Sequence, residues 1–443
     1  MKNYFEEVVG YNDVKVELER IVDLMRNPEK YRNLGVKTMR GLLLEGEPGV
    51  GKTLMSNCLI RASKRKAFTV RKDIPDGDFV KFIKGTFERA KKATPSIVFL
   101  DDMDKFANED CYHRNTDEYI TIQSCIDDCK DEDVFVLATA NELDCIPESL
   151  LRPGRFDKRI TILNPEVDDA EEIIKHYLKS KKVADNLDYR EIAKLLNGRS
   201  CAALETVINE AGIYAGHENK EFIEREDLIR AFMRVIYNSP ESFDTNDTQY
   251  LRLTAVHEAG HSAVAEILEP ECVSFVSVKR YNGSNQEGFM RFEYNKDYPR
   301  SLHFMENEVL HGLAGKAATE IVYGTVDTGS GGDVNRVIEV IGRIVDDYSR
   351  YGFVNWEGSV GTRSLDSMRV VDRKAIVIQT ELERYYQMTK RILIENREFL
   401  DKLTDELVEK KTLASGDIQR IKKDCNIVPF NPMYVNYAKQ GRS

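Results

Sequence analysis

Two short runs in this sequence combine residue types and spacings that chemistry can use. The first is HEAGH at 257–261, where His257 and His261 stand four apart around Glu258. On a helix that spacing stacks both imidazoles on one face, about one turn apart, which suits joint ligation of a single Zn²⁺. Glu258 lies beside that face, where a carboxylate can act as general base toward water at the metal. The chain holds only seven histidines, so two of them framing a glutamate is a specific signal. Such a site needs a third protein ligand. Downstream, Glu287, Glu293, Glu306, Glu320, Asp327 and Asp333 all qualify, and spacing alone does not choose among them.

The second run is GEPGVGKT at 46–53, comprising Gly46, Glu47, Pro48, Gly49, Val50, Gly51, Lys52 and Thr53. It fits GxxxxGK[ST] throughout, after an apolar strand-like run and before a helical one. Its glycines let backbone N–H groups curl around a β-phosphate, and the helix N-terminus adds partial positive charge. Lys52 is placed to reach the β- and γ-phosphates, and the Thr53 hydroxyl to ligate Mg²⁺. Further on, SIVFLDDMD delivers Asp101 and Asp102 at the C-terminal end of a strand, where a doubly wound sheet puts its ligand groups. Asp101 there suits the Mg²⁺ shell.

The elements that position these runs follow from periodicity. Apolar strands at 41–46, 67–72, 96–101, 134–140 and 158–163 alternate with helical stretches, the pattern of a parallel α/β sheet. From 168 to about 235 the pattern is helical throughout. Residues 238–249, NSPESFDTNDTQ, are polar and turn-rich and read as a linker. A long helix carrying HEAGH comes next, then a hairpin over 273–294 turning at Asn282 and Gly283. Long helices over 301–322, 333–348 and 372–410 complete the chain before a short polar tail.

Composition narrows the function. The 443 residues carry 64 Lys+Arg against 75 Asp+Glu, a net charge of −11, and this balance disfavours a nucleic-acid binder. Hydrophobic residues at 42% and charged residues at 31% describe a globular chain, with room for roughly three domains of ~150 residues. No apolar run approaches the ~18–20 residues that span a bilayer, and no secretory signal opens the chain. The eight cysteines form no CxxC pair. Cys125 and Cys129 can share a helix face, but the set reads as free thiols of a reducing cytosol.

VVGYNDVKVELERIVDLMRNPEKYRNLG ahead of the phosphate loop, LATANELD after it and LLRPGRFDKRI beyond resemble the AAA ATPases, and the FtsH-type ATP-dependent zinc metalloproteases most of all, over about 5–426. The resemblance implies an α/β AAA ATPase core at 1–163, a helical lid at 164–238, a linker at 239–249, a mostly α-helical zinc metallopeptidase domain at 250–426 and a tail at 427–443. It implies Zn²⁺, ATP and Mg²⁺ as cofactors. Asn141 corresponds to the sensor that positions the attacking water, and Arg152 and Arg155 to arginine fingers reaching a neighbour's γ-phosphate. Such fingers imply a ring, a homohexamer in this family. TGSGGD resembles the turn that supplies an aspartate ligand, which selects Asp333, with Gly329, Gly331 and Gly332 allowing the chain to turn back toward the metal.

The expectation is therefore a cytoplasmic ATP-dependent zinc endopeptidase acting on polypeptides. The hairpin at 273–294 would offer an edge strand to an extended peptide. The alternative is a nucleotide-gated protein remodeller or assembly factor with weak or uncoupled proteolysis. Three departures from the family stand out. The chain starts directly at the ATPase region, without the family's N-terminal transmembrane helices, so the expectation is a soluble form. Asp102 stands where the family has glutamate, one methylene longer, to orient water. The segment 78–93, where a pore loop would grip substrate through an aromatic residue, is short, with Phe82 the best candidate and Phe79 its competitor.

Overall fold

The strand-sized apolar runs assemble as their composition demands. In the computed structural model, which describes residues 4–37, 39–73, 76–107, 116–240, 248–280, 287–293, 301–325, 330–347 and 365–430, contacts divide the chain into two units, Met1–Ala231 and Phe232–Ser443.

In the first unit, helices α1 (Asn12–Arg26) and α2 (Pro28–Arg32) precede the alternating series. It runs β1 (Gly41–Glu45), α3 (Lys52–Ser63), β2 (Lys66–Val70), α4 (Asp76–Lys91), β3 (Ser96–Leu100), α5 (Thr116–Asp128), β4 (Val134–Ala140) and β5 (Lys158–Thr161). The five strands form a parallel sheet in the order β2-β3-β4-β1-β5. Every residue of β3 and β4 is buried, as a parallel sheet covered on both faces requires. Each strand lies within two residues of its sequence-based position. This order sets β1 beside β4, with Leu43 paired to Ala138, and β3 on the far side of β4. The C-terminal ends of β1, β3 and β4 therefore form one edge, from which the phosphate loop, the acidic pair and Asn141 emerge.

Four helices come after β5: α6 (Val167–Leu178), α7 (Tyr189–Leu196), α8 (Cys201–His217) and α9 (Arg225–Tyr237). Local chemistry starts two of them: Asp188 caps α7 by accepting from Arg190 N and Glu191 N, and Ser200 caps α8 by accepting from Ala203 N. The division between units falls inside α9, whose end packs on the hairpin. Phe232 meets Phe275 edge-on at 5.2 Å, and Tyr237 lies 4.4 Å from Phe289.

The second unit contains α10 (Thr248–Leu268), β6 (Val273–Arg280), β7 (Glu287–Phe292), α11 (Leu302–Gly312), α12 (Ala314–Tyr323), α13 (Ser330–Asp347), α14 (Leu365–Glu395), α15 (Arg397–Lys410), β8 (Thr412–Ala414) and α16 (Ser415–Lys423). The hairpin forms, with Val276 opposite Met290, while its expected turn at Asn282 and Gly283 lies outside the described residues. A third strand, β8, pairs with β6 and gives the order β7-β6-β8, which leaves β7 at an edge.

Two of the expected long helices are each a pair. The 301–322 stretch breaks at Leu313, and the 372–410 stretch breaks at Asn396, whose amide bonds Ile392 O and Val428. The core is one cluster gathered around α10, in which Ala255, Ala259 and Ala263 are fully buried. Small residues on that face let α12 approach: a Cβ at Gly260 would lie 2.6 Å from both Ala314 O and Ala318 Cβ.

Candidate functional site

At the edge of the first sheet, Gly51 takes a left-handed φ of 100° immediately before α3, a conformation that glycine adopts without penalty. This turn folds Lys52 back over the loop. Its Nζ donates to Gly46 O at 2.7 Å, Glu47 O at 2.8 Å and Asn141 Oδ1 at 2.8 Å. Burial pulls the Lys52 ammonium below its usual range, opposed by the nearby Asp102, Asp104 and Asp101. A cavity of about 760 Å³ opens beside the loop. Its wall comes from 48–55 together with Val8 and Tyr11 before α1, Ile173 and His176 of α6, and Ala202 of α8. This encloses a nucleotide-sized space on the loop.

Asp101 is 1% exposed. Thr53 Oγ1 donates to its Oδ1 at 3.3 Å, and Thr139 Oγ1 to the same atom at 3.0 Å. Thr139 in turn accepts from Asp102 N at 2.9 Å, so one hydroxyl of β4 fixes both members of the acidic pair. Sequence reasoning passed over Thr139, although a hydroxyl inside the apolar run VFVLATA was a signal. Asp102 has φ 53° and pairs with Lys105 Nζ at 2.6 Å. Asn141 also donates from Nδ2 to Asp104 Oδ2 at 3.5 Å.

The two arginines differ. Arg152 is exposed and makes no ion pair among the described residues. Arg155 is largely covered, donating from Nη2 to Asp127 Oδ2 at 2.8 Å and from Nη1 to Ser149 O. The pore-segment expectation also divides. Phe79 is fully buried, with Phe106 edge-on at 5.3 Å, so it is a core residue of α4 and not a substrate grip. Phe82 packs partly buried against the same core, inside a continuous helix.

In the second unit, the i,i+4 spacing on α10 brings His257 Nε2 to 3.0 Å from His261 Nε2. Asp333, in the first turn of α13, places Oδ2 at 3.1 Å from His257 Nε2 and 3.4 Å from His261 Nε2. The three ligand atoms lie within 4.8 Å of one another. His261 Nδ1 lies 2.6 Å from His311 O, a carbonyl that can only accept, so the proton sits on Nδ1 and a neutral ring keeps its Nε2 lone pair free. Lone pairs of two imidazoles and a carboxylate converging at this range fit a small cation.

Steric room around the cluster is equally specific. A Cβ at Gly315 of α12 would lie 2.5 Å from both Nε2 atoms, so only glycine leaves the ligand set open there. Gly288 of β7 has φ +84°, and a Cβ on it would lie 2.6 Å from Glu258 Oε1. Glu258 itself is 7% exposed.

The other candidate carboxylates stand elsewhere. Glu306 accepts from Tyr385 Oη at 2.9 Å, and Glu320 pairs with Lys390 at 2.6 Å. Glu293 is partly buried on the hairpin, and its backbone N donates to Cys272 O. Asp327 and the side chain of Glu287 lie outside the described residues. The expected glycine turn differs as well: Gly331 and Gly332 are helical because α13 starts at Ser330, while Gly329 is outside the described residues. Gly315 and the His311 carbonyl had no signal in spacing.

Comparison with known proteins agrees with both halves. The ATPase family associated with various cellular activities (AAA) matches residues 42–163, and peptidase family M41 matches 245–421. The ATP-dependent zinc metalloprotease FtsH of Lachnoclostridium phytofermentans is 30% identical over 94% of this chain and 74% of its own length. FtsH of Thermus thermophilus is 29% identical over 94% of this chain and 70% of its own. FtsH 2 of a Thermoanaerobacter species is 27% identical over 95% and 83%. With an AAA sheet and an M41 helix set in the same order, this chain belongs to the FtsH family of ATP-dependent zinc metalloproteases.

Proposed function

We propose that this chain is an ATP-dependent zinc endopeptidase that cleaves polypeptides. One observation carries the reading: His257, His261 and Asp333 converge within 4.8 Å beside Glu258, in a chain that also holds a complete phosphate loop. His257, His261 and Asp333 would hold Zn²⁺, which when bound would supply Lewis acidity toward a peptide carbonyl and water. Glu258 accepts the proton of the attacking water and returns it to the departing amine nitrogen. The His311 carbonyl keeps His261 in the ligating tautomer, and Gly288 leaves the Glu258 carboxylate room. The outer strand β7 offers its edge to an extended substrate.

In the ATPase half, the backbone of 46–53 and Lys52 would hold the phosphates of ATP, and Thr53 and Asp101 would hold Mg²⁺. Asp102 and Asn141 orient the attacking water. Arg152, exposed and without an ion pair among the described residues, is the better placed of the two arginines to serve a neighbouring copy in a homohexameric ring. Arg155 must first leave Asp127. We take the domain plan to be ATPase core, helical lid and peptidase, as the sequence divides them. None of the described helices is long and apolar enough to cross a membrane. Seven cysteines are free among the described residues, which supports a reducing, cytoplasmic setting.

The remodeller reading retains one specific support, the burial of Phe79 in a continuous α4, which leaves no aromatic loop at 78–93. Incubating an unfolded protein with the full chain separates the two. Cleavage is expected with ATP, and loss of cleavage with chelator or with Glu258→Gln. Cleavage that survives chelation sinks the zinc mechanism, and cleavage indifferent to nucleotide favours the remodeller.

A further inference from the structure

The chain engages both carboxylates of its acidic pair with its own cations. Asp102 is held by Lys105 at 2.6 Å. Asp101 is held by Arg71, the residue after β2, whose Nε donates to Oδ2 at 3.0 Å while Nη2 donates to the same oxygen. No motif in the sequence includes Arg71. Its place follows from the sheet order alone, because β2 lies against β3 and Val70 pairs with Leu100.

We propose that Arg71 is a built-in competitor of Mg²⁺ at Asp101 and sets the magnesium concentration at which this chain takes up nucleotide. The inference rests on the reading of 46–53 and Asp101 as a nucleotide and magnesium site. The two oxygens of Asp101 have different neighbours. Oδ1 faces the hydroxyls of Thr53 and Thr139, the magnesium side, and Oδ2 faces the guanidinium. With Oδ2 compensated by a full positive charge, a dication approaching Oδ1 meets a neutral pair instead of a carboxylate. Lys105 compensates Asp102 in the same way.

Exposure decides which partner yields. The Asp101 side chain is 2% exposed and fixed by two hydroxyls, whereas the Arg71 side chain is 60% exposed and has solvent to move into. Magnesium uptake therefore requires Arg71 to release Oδ2 or to share the carboxylate with the dication. Removing its charge makes uptake easier.

The test is equilibrium binding of a fluorescent ATP analogue to the full chain, titrated with free Mg²⁺ and repeated in chelator. Arg71→Gln keeps a hydrogen-bond donor for Oδ2 and removes only the charge. Its Mg²⁺ midpoint is expected to fall about five-fold, the effect of losing one partly exposed ion pair. Arg71→Ala should fall as far, and Arg71→Lys should stay near the parent. Thermal unfolding checks each fold, and Arg71→Gln carries the comparison where Arg71→Ala is unstable. A midpoint in Arg71→Gln equal to or above the parent's overturns the proposal while leaving the nucleotide site standing. Absence of analogue binding by the parent at every Mg²⁺ concentration overturns both.

Discussion

At the two-histidine centre, three ligand atoms meet within 4.8 Å of one another, and glycines at 315 and 288 keep the space clear. At the phosphate loop, the principal charged groups already have partners from the same chain. Lys52 lies on carbonyls, Asp101 on Arg71, and Asp102 on Lys105. Arg155, the second arginine of LLRPGRFD, lies on Asp127. The first site is organised to accept an ion without rearrangement. The second has each of these groups engaged within the chain. Four helical residues and a short ligand list suffice for the former, while the latter depends on side chains free to move.

Substitutions can break this comparison. The largest effect belongs to Glu258→Gln: peptide cleavage should drop about 10²–10⁴-fold with loss of the general base, while zinc content and ATP hydrolysis stay intact. Assaying both activities on one preparation checks it. Next is Gly315→Ala, whose methyl would stand 2.5 Å from the ligating nitrogens. Zinc affinity should weaken by about 10–100-fold, the scale of a disturbed ligand shell, as read by competition with a chromogenic chelator. Gly331→Ala is its control, since nothing lies within 4 Å of a Cβ there.

Asp102→Glu sharpens the other side. The longer side chain extends the carboxylate by one methylene, and ATP turnover should rise several-fold, on the order of 1 kcal/mol of barrier. Unchanged or lower turnover removes the idea that Asp102 slows hydrolysis. The smallest effect concerns Arg155. Its hydrogen bonds hold the Asp127 carboxyl below the usual range. A depressed carboxyl pKa means the pair contributes fully above the unfolded value near 4 and loses that contribution as pH falls through the folded value. The side chain of Asp127 is 33% exposed, so no more than about 1 kcal/mol is at stake. Asp127→Asn should flatten the acid limb of stability measured by denaturant unfolding between pH 5 and pH 2, ~1 kcal/mol at most.

Much of the fold and both motifs were legible in the sequence. The five strands stand out because a parallel sheet buried on both faces needs continuous apolar runs, and the two motifs stand out because their spacing is itself the chemistry. The rest depends on proximity between distant segments. Thr139 matters only because β4 adjoins β3, and Arg71 only because β2 does. Gly315 matters because α12 crosses α10 at Gly260, a contact that no period of either helix announces. The breaks at Leu313 and Asn396 stood out little because neither carries proline and only Gly312, beside Leu313, marks one of them. At 329–332 the opposite occurred: glycines suggested a turn, yet Gly331 and Gly332 continue a helix begun at Ser330. Phe79, the competitor of Phe82, proves to be core for a related reason: an aromatic near a loop and an aromatic of a core look alike until packing is known.

The central claim is that His257, His261 and Asp333 together hold one zinc, and zinc stoichiometry with affinity tests it most directly. Elemental analysis of the full chain after dialysis should give one zinc per chain. His257→Ala and Asp333→Ala should each lose it, with folds verified by circular dichroism. One tightly held zinc retained in Asp333→Ala at the parent's affinity would contradict the account and send the search for the third ligand elsewhere.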